Sequence, residues 1–105
     1  MNTGRIRHTV SFTLRHPEGS PEESTFLAKA LELAHIDGVE SFELLRQVGA
    51  KSDFHFGISM EFADQAAYDG YNEHPHHVRF VAERWVPEVT DFLELDYTAV
   101  DDTSL

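Results

Sequence analysis

The segment from residue 5 to residue 15 alternates between polar and apolar side chains, and this pattern constrains the fold more than any other. Its odd positions carry only arginine, threonine and serine. Its even positions carry Ile6, His8, Val10, Phe12 and Leu14. A period of two is typical of a β-strand that has one buried and one solvated face. The chain must therefore place a core on one side of a sheet.

Three further strands are predicted along the chain. Residues 54–62 and 92–99 repeat the alternation, whereas residues 39–48 form a weaker strand because the adjacent Leu44 and Leu45 interrupt it. This interruption indicates either a bulge or burial of both faces. The apolar positions of the two stronger strands are Phe54, Phe56, Ile58, Met60 and Phe62, then Leu93, Leu95, Tyr97 and Ala99.

A first helix is predicted between the first two strands. Ser20 can act as its N-cap, Pro21 suits the first helical position, and Glu23 is placed to complete a capping box. Gly38 is well placed to end the helix in a left-handed conformation. The apolar positions at helical spacing are Leu27, Ala30, Leu31 and Ala34.

A second helical region precedes the last strand. Asp64 can cap it, Pro75 restarts it as a separate segment, and Pro87 stops or kinks it. Tyr68 and Trp85 belong to its apolar stripe and are expected to pack in the core, as aromatic residues at helical spacing usually do. The whole stripe consists of Ala67, Tyr68, Tyr71, Val78, Val81, Ala82 and Trp85.

The order strand, helix, strand, strand, helix, strand predicts an α+β protein with the ferredoxin-like βαββαβ plan. In that plan a four-stranded antiparallel sheet carries both helices on one face. A chain of 105 residues has room for a single core, so residues 1–105 are expected to form one domain, with residues 101–105 as a flexible tail. The other sheet face would carry the polar odd residues, which suit water or a wet, charge-complementary partner sheet.

Composition argues against several classes of function. Eight basic and nineteen acidic residues give a net charge of −11, which repels nucleic acids and anionic membranes. No apolar run approaches the roughly 20 residues of a membrane span. The chain has no cysteine for disulfides or thiolate metal sites. Its first residues lack the apolar region of a secretion signal, so a cytoplasmic location is expected.

The histidine-rich segment that begins at Tyr71 is the best local candidate for proton transfer or ligand binding. Histidine is the side chain whose unperturbed pKa is nearest to neutrality. At helical spacing Tyr71, His74 and His77 share an inner face, whereas His76 points to solvent. His8 is the one polar residue in the apolar row of the first strand. Alone it would most simply be a core histidine bonded to a carbonyl or a tyrosine, but its convergence with Tyr71 and His77 favours a site.

Three segments together resemble the stress-responsive A/B barrel family, also called Dabb. They are the Ile-Arg-His-Thr-Val-Ser-Phe run from Ile6, the Tyr-x-x-His-Pro-x-His motif from Tyr71 and the Phe-Leu-Glu-Leu-Asp-Tyr-Thr run from Phe92. The resemblance extends from about Arg5 to Val100. It implies a ferredoxin-like protomer and a homodimer in which two sheets face each other to form an α+β barrel.

The family includes oligomeric plant stress proteins and olivetolic acid cyclase, which closes a linear polyketide by an intramolecular aldol condensation. The resemblance implies that His77 acts as acid and base, that Tyr71 binds and polarises a carbonyl group, and that Asp96 orients His77. These are the catalytic candidates. A pocket for the substrate is expected between the sheet and the second helical region. The candidates for substrate binding are His8, His74, Phe12, Phe56 and Val81.

Two functions are open on this basis. One is cofactor-free acid/base chemistry of a polyketide cyclase, lyase or isomerase type on a small apolar carbonyl compound. The other is a non-enzymatic stress-response role, in which the His/Tyr cluster serves structure and oligomerisation. A zinc site at His74, His76 and His77 is a weaker alternative, because adjacent histidines on a helix diverge and only His74 and His77 could chelate, with a carboxylate such as Asp96 as the third ligand. No metal or cofactor is expected. An enclosed space beside His77 would favour the first function, and filled space the second.

Overall fold

The computed structural model describes residues 4–105, and the predicted order of strands and helices is present in them. The strands are β1 (Ile6–Leu14), β2 (Glu40–Arg46), β3 (Phe56–Phe62) and β4 (Val89–Tyr97). The helices are α1 (Pro21–Leu31), α2 (Gln65–Glu73), α3 (Pro75–Phe80) and the short α4 (Val86–Glu88). The strands form one antiparallel sheet in the order β2, β3, β1, β4. The ferredoxin-like α+β plan is thereby confirmed.

Strand β1 lies in the middle of the sheet and directs its even residues toward the helices. Phe12 is completely buried, and Val10 and Leu14 are nearly so. The ring of Phe12 contacts Phe26 of α1 at 5.8 Å and Trp85 at 5.0 Å between centroids. On β3 the residues opposite Phe12 and Val10 are Phe56 and Ile58, which are equally buried, as the matching alternation predicts. The aromatic core therefore joins the sheet to α1 and to the segment after α3.

Helix α1 begins as predicted and ends differently. The Ser20 hydroxyl accepts from the Glu23 amide at 3.2 Å, so Ser20 is the N-cap as predicted. The Glu23 carboxylate accepts from the Gly19 amide at 3.2 Å and does not complete the predicted capping box, because the Ser20 amide donates to the Pro17 carbonyl. After α1 a 3₁₀ turn (Glu32–His35) tightens the chain. The buried face of α1 is built around Phe26, and Leu31, expected on that face, is 50% exposed. The choice of Leu31 was wrong because a helical stripe centred on Phe26 leaves it at the edge.

The break between α2 and α3 follows the sequence prediction. Asp64 caps α2 by accepting from the Ala67 amide at 2.9 Å. His74 has an extended backbone, and its Nδ1 accepts from the His76 amide at 3.1 Å, so it caps α3. Pro75 occupies the first position of α3, where its missing amide hydrogen costs nothing.

The inner face of the segment that starts with α3 differs from the predicted stripe. Phe80 is the buried apolar residue of α3, whereas Val78 is more than half exposed. A π-helical turn (Val81–Trp85) follows α3, and Ala82 is exposed in it. A π turn contains more residues than an α turn, which shifts the positions that face the sheet. Val78 and Ala82 were therefore wrongly assigned to the core.

Strand β2 contains the irregularity that its blurred pattern indicates. Its register with β3 shifts between Glu40 and Glu43, where Ser41 has a positive φ of 50°. Beyond the shift, Leu44 pairs with Ile58 on the helix side, and Leu45 lies on the opposite face. The shift lies before the two leucines, so they belong to a regular part of β2 with one apolar side chain on each face.

Strand β4 carries its aliphatic residues away from the helices. It pairs with β1 so that Phe92 is opposite Phe12 and Asp96 is opposite His8. Its odd residues Leu93, Leu95 and Tyr97 consequently lie on the open face of the sheet, where they are about half exposed. The open face therefore combines the polar odd residues of β1 with an apolar strip on the edge strand β4.

Residues beyond β4 include a 3₁₀ turn (Asp102–Ser104), which the Asp101 carboxylate caps by accepting from the Thr103 amide at 3.0 Å. No helix within residues 4–105 is long and apolar enough to cross a membrane.

Two glycines give opposite predictions for stability. Gly38 has a φ of 92°, which a side chain with Cβ rarely adopts, so Gly38→Ala should lower the free energy of unfolding by about 1 kcal/mol. Gly70 lies inside α2, and no atom lies within 4 Å of the position that an added Cβ would occupy. Gly70→Ala should therefore raise the free energy of unfolding by about 0.5–1 kcal/mol. Urea denaturation of both variants measures these changes, and a shift of the same sign in both would contradict the backbone assignment.

Candidate functional site

A cavity of about 480 Å³ lies between the helix-covered face of the sheet and the segment from α2 to α4. Four of the eight predicted site residues line it: His8, Tyr71, His77 and Val81. The surrounding walls are mostly apolar, with Val10, Ile58 and Met60 from the sheet and Phe80 and Trp85 from the helical side. The convergence of His8, Tyr71 and His77 beside an open space agrees with the sequence prediction.

The other four predicted residues do not line this cavity. Phe12 is packed beneath α1, and Phe56 lies beside it at 5.6 Å between ring centroids. His74 caps α3 with its side chain. Asp96 bonds to His8 and Tyr68. Expecting Phe12 and Phe56 in the pocket was wrong because one sheet face is wide enough to hold both a packed core and a cavity.

His77 packs against Tyr71, with 4.4 Å between the ring centroids. Its Nδ1 donates to the backbone carbonyl of Asn72 at 3.2 Å. In the neutral ring this bond leaves the lone pair on Nε2. Burial lowers the pKa of His77, and the bond to Asn72 only partly opposes this effect. The ring is therefore neutral at physiological pH and has a basic nitrogen available.

Tyr71 supplies a hydrogen-bond donor next to that base. The residue is only 2% exposed, and its hydroxyl makes no hydrogen bond with any residue between 4 and 105. Burial raises the pKa of Tyr71, and the negative charge of Glu94 raises it further. The phenol thus remains protonated and is free to donate to a ligand.

Asp96 orients His8 and not His77. The His8 Nδ1 donates to Asp96 Oδ1 at 2.6 Å, and the Tyr68 hydroxyl donates to Asp96 Oδ2 at 2.8 Å. The same hydroxyl lies 3.0 Å from His8 Nδ1. The expectation that Asp96 orients His77 was wrong, because the register of β1 and β4 places Asp96 directly opposite His8.

Sequence reasoning missed two members of this cluster. Tyr68 was assigned to core packing, and it is buried, but its hydroxyl also belongs to the hydrogen-bond network. Tyr68 is three residues before Tyr71, so both side chains lie on one helix face. This spacing was the sequence signal that could have placed Tyr68 in the cluster. Glu94 lines the cavity and lies two residues before Asp96, on the same face of β4. Burial raises the pKa of Tyr68, and its bond to Asp96 adds to the shift.

One group of side chains in the described part of the chain has the arrangement of a metal site. Ligand atoms of His8, Glu94 and Asp96 all lie within 4.8 Å of one another. One imidazole with two carboxylates suits a divalent cation. A cation that used His8 Nδ1 would have to displace its proton and the bond to Asp96. The zinc set considered from the sequence, His74 and His77 with Asp96, does not come together.

The decisive comparison is with protein families. Residues 6–99 match the family described as the stress responsive A/B barrel domain, Dabb. The chain belongs to the Dabb family. A crystal structure of a Dabb family protein with a ferredoxin-like fold from Mesorhizobium loti has 59% sequence identity and a TM-score of 0.92. That comparison covers 94% of this chain and 100% of the other.

More distant structures share the fold of this Dabb protein. The hydroxynitrile lyase from Passiflora edulis is 16% identical with a TM-score of 0.82, covering 93% of this chain and 95% of that one. A dimeric ferredoxin-like protein of unknown function from Thermobifida fusca is 18% identical, with a TM-score of 0.75. The comparison covers 94% of this chain and 95% of that protein. At these identities the likeness extends to the fold alone. Among curated proteins none has a significantly similar sequence.

The two tyrosines of α2 give a matched test of the network. Tyr68→Phe removes the donor to Asp96 and should lower the free energy of unfolding by about 1–2 kcal/mol, since bonds to charged groups are among the stronger ones. Tyr71→Phe removes a hydroxyl that has no hydrogen-bond partner among residues 4–105. This substitution should change the free energy of unfolding by less than about 0.5 kcal/mol. Urea denaturation compares the two variants. Equal losses would contradict the assigned hydrogen bonds.

Proposed function

We propose that this Dabb protein binds a small, largely apolar carbonyl compound and performs cofactor-independent acid/base chemistry on it. The observation that supports this most is the Tyr71–His77 pair beside the cavity. It combines a neutral base with a protonated phenol, and neither the Nε2 nor the hydroxyl bonds to a residue within 4–105. Side chains with unused hydrogen-bonding groups in an apolar pocket are typical of ligand sites.

The proposed reaction begins at the carbon next to the carbonyl group. His77 Nε2 takes a proton from this carbon, and the electron pair of the C–H bond moves to form an enolate. Tyr71 donates a hydrogen bond to the enolate oxygen, which stabilises the developing negative charge. The imidazolium then returns the proton at another position in an isomerisation, or gives it to the alkoxide that forms when the enolate attacks a second carbonyl. A positioned base of this kind typically contributes about 10² to 10⁴ in rate.

The same pair would serve a lyase reaction equally well. The hydroxynitrile lyase from Passiflora edulis shares the fold. Cleavage of a hydroxynitrile begins with removal of a hydroxyl proton, for which a neutral imidazole is a suitable base. A hydroxynitrile therefore belongs in the panel of test compounds beside ketones and aldehydes. Polyketide cyclisation and lyase cleavage are two versions of one proposed acid/base role.

The non-enzymatic alternative accounts for only part of the cluster. His8, Asp96 and Tyr68 satisfy one another and fit a structural role. Beside His77, however, the cavity of about 480 Å³ is partly open to solvent and is far larger than the roughly 10–15 Å³ that one water needs. Its mostly apolar walls and the two unused hydrogen-bonding groups beside it are typical of a site for a small ligand. This supports the ligand-binding proposal.

We also propose that the protein is a homodimer joined through the open faces of two sheets. The apolar strip on this face consists of Leu93, Leu95 and Tyr97, with Leu45 on the far edge. Around it are the polar residues of β1, which suit the hydrated part of an interface. The Thermobifida fusca protein of the same fold is described as dimeric. A homodimer with this α+β barrel would bury the apolar strip, which is about half exposed in the single protomer.

Two leucines with equal exposure test the homodimer. Leu93 on the open face and Leu31 on α1 are both 50% exposed. Leu93→Lys should convert the protein to a monomer because it places a charge within the interface, whereas Leu31→Lys should leave the dimer intact. Sedimentation equilibrium measures the mass of each variant. A monomeric wild type, or dissociation by both substitutions, would contradict the proposed interface.

Proton exchange tests the proposed base directly. In D₂O the wild type should speed deuterium uptake next to the carbonyl of a small ketone such as heptan-2-one, followed by ¹H NMR. His77→Gln should lower the rate by about 10² to 10⁴, whereas His76→Gln, which alters a histidine outside the cavity, should have little effect. A wild type no faster than buffer on ketones, aldehydes and a hydroxynitrile would refute the catalytic proposal.

The pH dependence of this exchange follows from the neutral state of His77. The ring acts as a base only without its second proton, and burial lowers its pKa below the usual 6.5. The exchange rate should therefore stay level as the pH falls from neutrality through 6.5 and should decline only below the lowered pKa. The same shift means that stability contributed by neutral His77 is complete above pH 6.5 and is lost as the pH falls through the lowered pKa. A rate that already halves above pH 6.5 would exclude His77 as the base.

A further inference from the structure

The polar lining of the cavity includes one carboxylate, that of Glu94. Glu94 lines the cavity and forms no hydrogen bond or ion pair with any residue in the described range 4–105. No lysine or arginine lines the cavity. On the neighbouring helical turn, Arg84 is paired with Glu88 at 2.9 Å. The Glu94 charge is therefore not balanced by a cationic side chain.

The histidines do not cancel this charge. His77 is neutral at physiological pH, as its burial requires. His8 lies within 4.8 Å of both Glu94 and Asp96. Even with His8 protonated, two carboxylates and one imidazolium sum to a net charge of −1. The group formed by His8, Glu94 and Asp96 therefore has a net negative charge in either protonation state of His8, and Glu94 is the carboxylate of this group that lines the cavity.

The field of Glu94 reaches the reacting groups. Its negative charge contributes to the raised pKa of Tyr71, after the larger effect of burial. Glu94 would repel a negatively charged ligand, and this ligand would also lose part of its hydration on entering the cavity. An uncharged ligand would not be repelled, and a positively charged group near Glu94 would be attracted.

We infer that the cavity selects its ligand by charge, accepting uncharged or cationic carbonyl compounds and rejecting carboxylates, with Glu94 as the specificity-determining residue. This inference rests on the proposed carbonyl-binding role of the site and narrows its substrate class. The apolar walls hold the hydrocarbon part of the ligand. Trp85 and Phe92 line the same cavity, and aromatic rings favour a cationic neighbour over an anionic one.

Three methyl ketones that differ only at the far end of the chain test this inference. They are heptan-2-one, 6-oxoheptanoate and (6-oxoheptyl)trimethylammonium, and calorimetry gives the Kd of each for the full chain. The wild type should bind the carboxylate at least about tenfold more weakly than heptan-2-one, and the ammonium compound at least as tightly. Added salt should reduce this discrimination because it screens the charges.

Two variants of β4 separate a local effect from a change in total charge. Glu94→Gln should lower the ratio of the carboxylate Kd to the heptan-2-one Kd by about fivefold to tenfold. Asp91→Asn removes the same charge from the open face of the same strand, outside the cavity, and should leave the ratio unchanged. A ratio near one in the wild type, or an equal change in both variants, would overturn the inference while leaving the carbonyl site intact. Failure of all three ketones to bind would overturn the proposed function, and the inference with it.

Discussion

The antiparallel pairing of β1 with β3 on one side and β4 on the other determines most of the structure. It assigns the even residues of β1 to the helix-covered face, and His8 stands in that row. A buried imidazole requires hydrogen-bond partners. The register supplies Asp96 directly opposite, and α2 supplies the Tyr68 hydroxyl. The same register turns Leu93 away from the helices and creates the apolar strip of the open face.

The structural role and the proposed ligand-binding role belong to different parts of one cluster. His8, Asp96 and Tyr68 satisfy one another, and they hold the edge strand and α2 to the central strand. Tyr71 and His77 lie against this framework with hydrogen-bonding groups that no residue between 4 and 105 uses. Proteins commonly keep such groups at functional sites at some cost in stability. A structural network can therefore position the groups that a ligand needs.

Short-range signals predict a large part of this fold. The caps at Ser20, Asp64 and His74 involve residues within three positions of one another, so local rules locate them. Strand register determines the partner of Asp96. This register pairs residues about ninety positions apart, so rules that use only neighbouring residues cannot predict it. The inner face of the chain after α3 depends on a π turn that has no clear sequence signal. Fold and cavity were thus predictable, but the pairing within the site was not.

The central claim is that His77 presents a neutral, basic Nε2 to the cavity beside the Tyr71 phenol. Long-range ¹H–¹⁵N correlation spectra of the histidine rings measure which nitrogen carries the proton. At pH 7 we expect His77 to be neutral with its proton on Nδ1, held by the carbonyl of Asn72. An imidazolium at pH 7, or a proton on Nε2, would leave the pocket without its base and would contradict the proposed function.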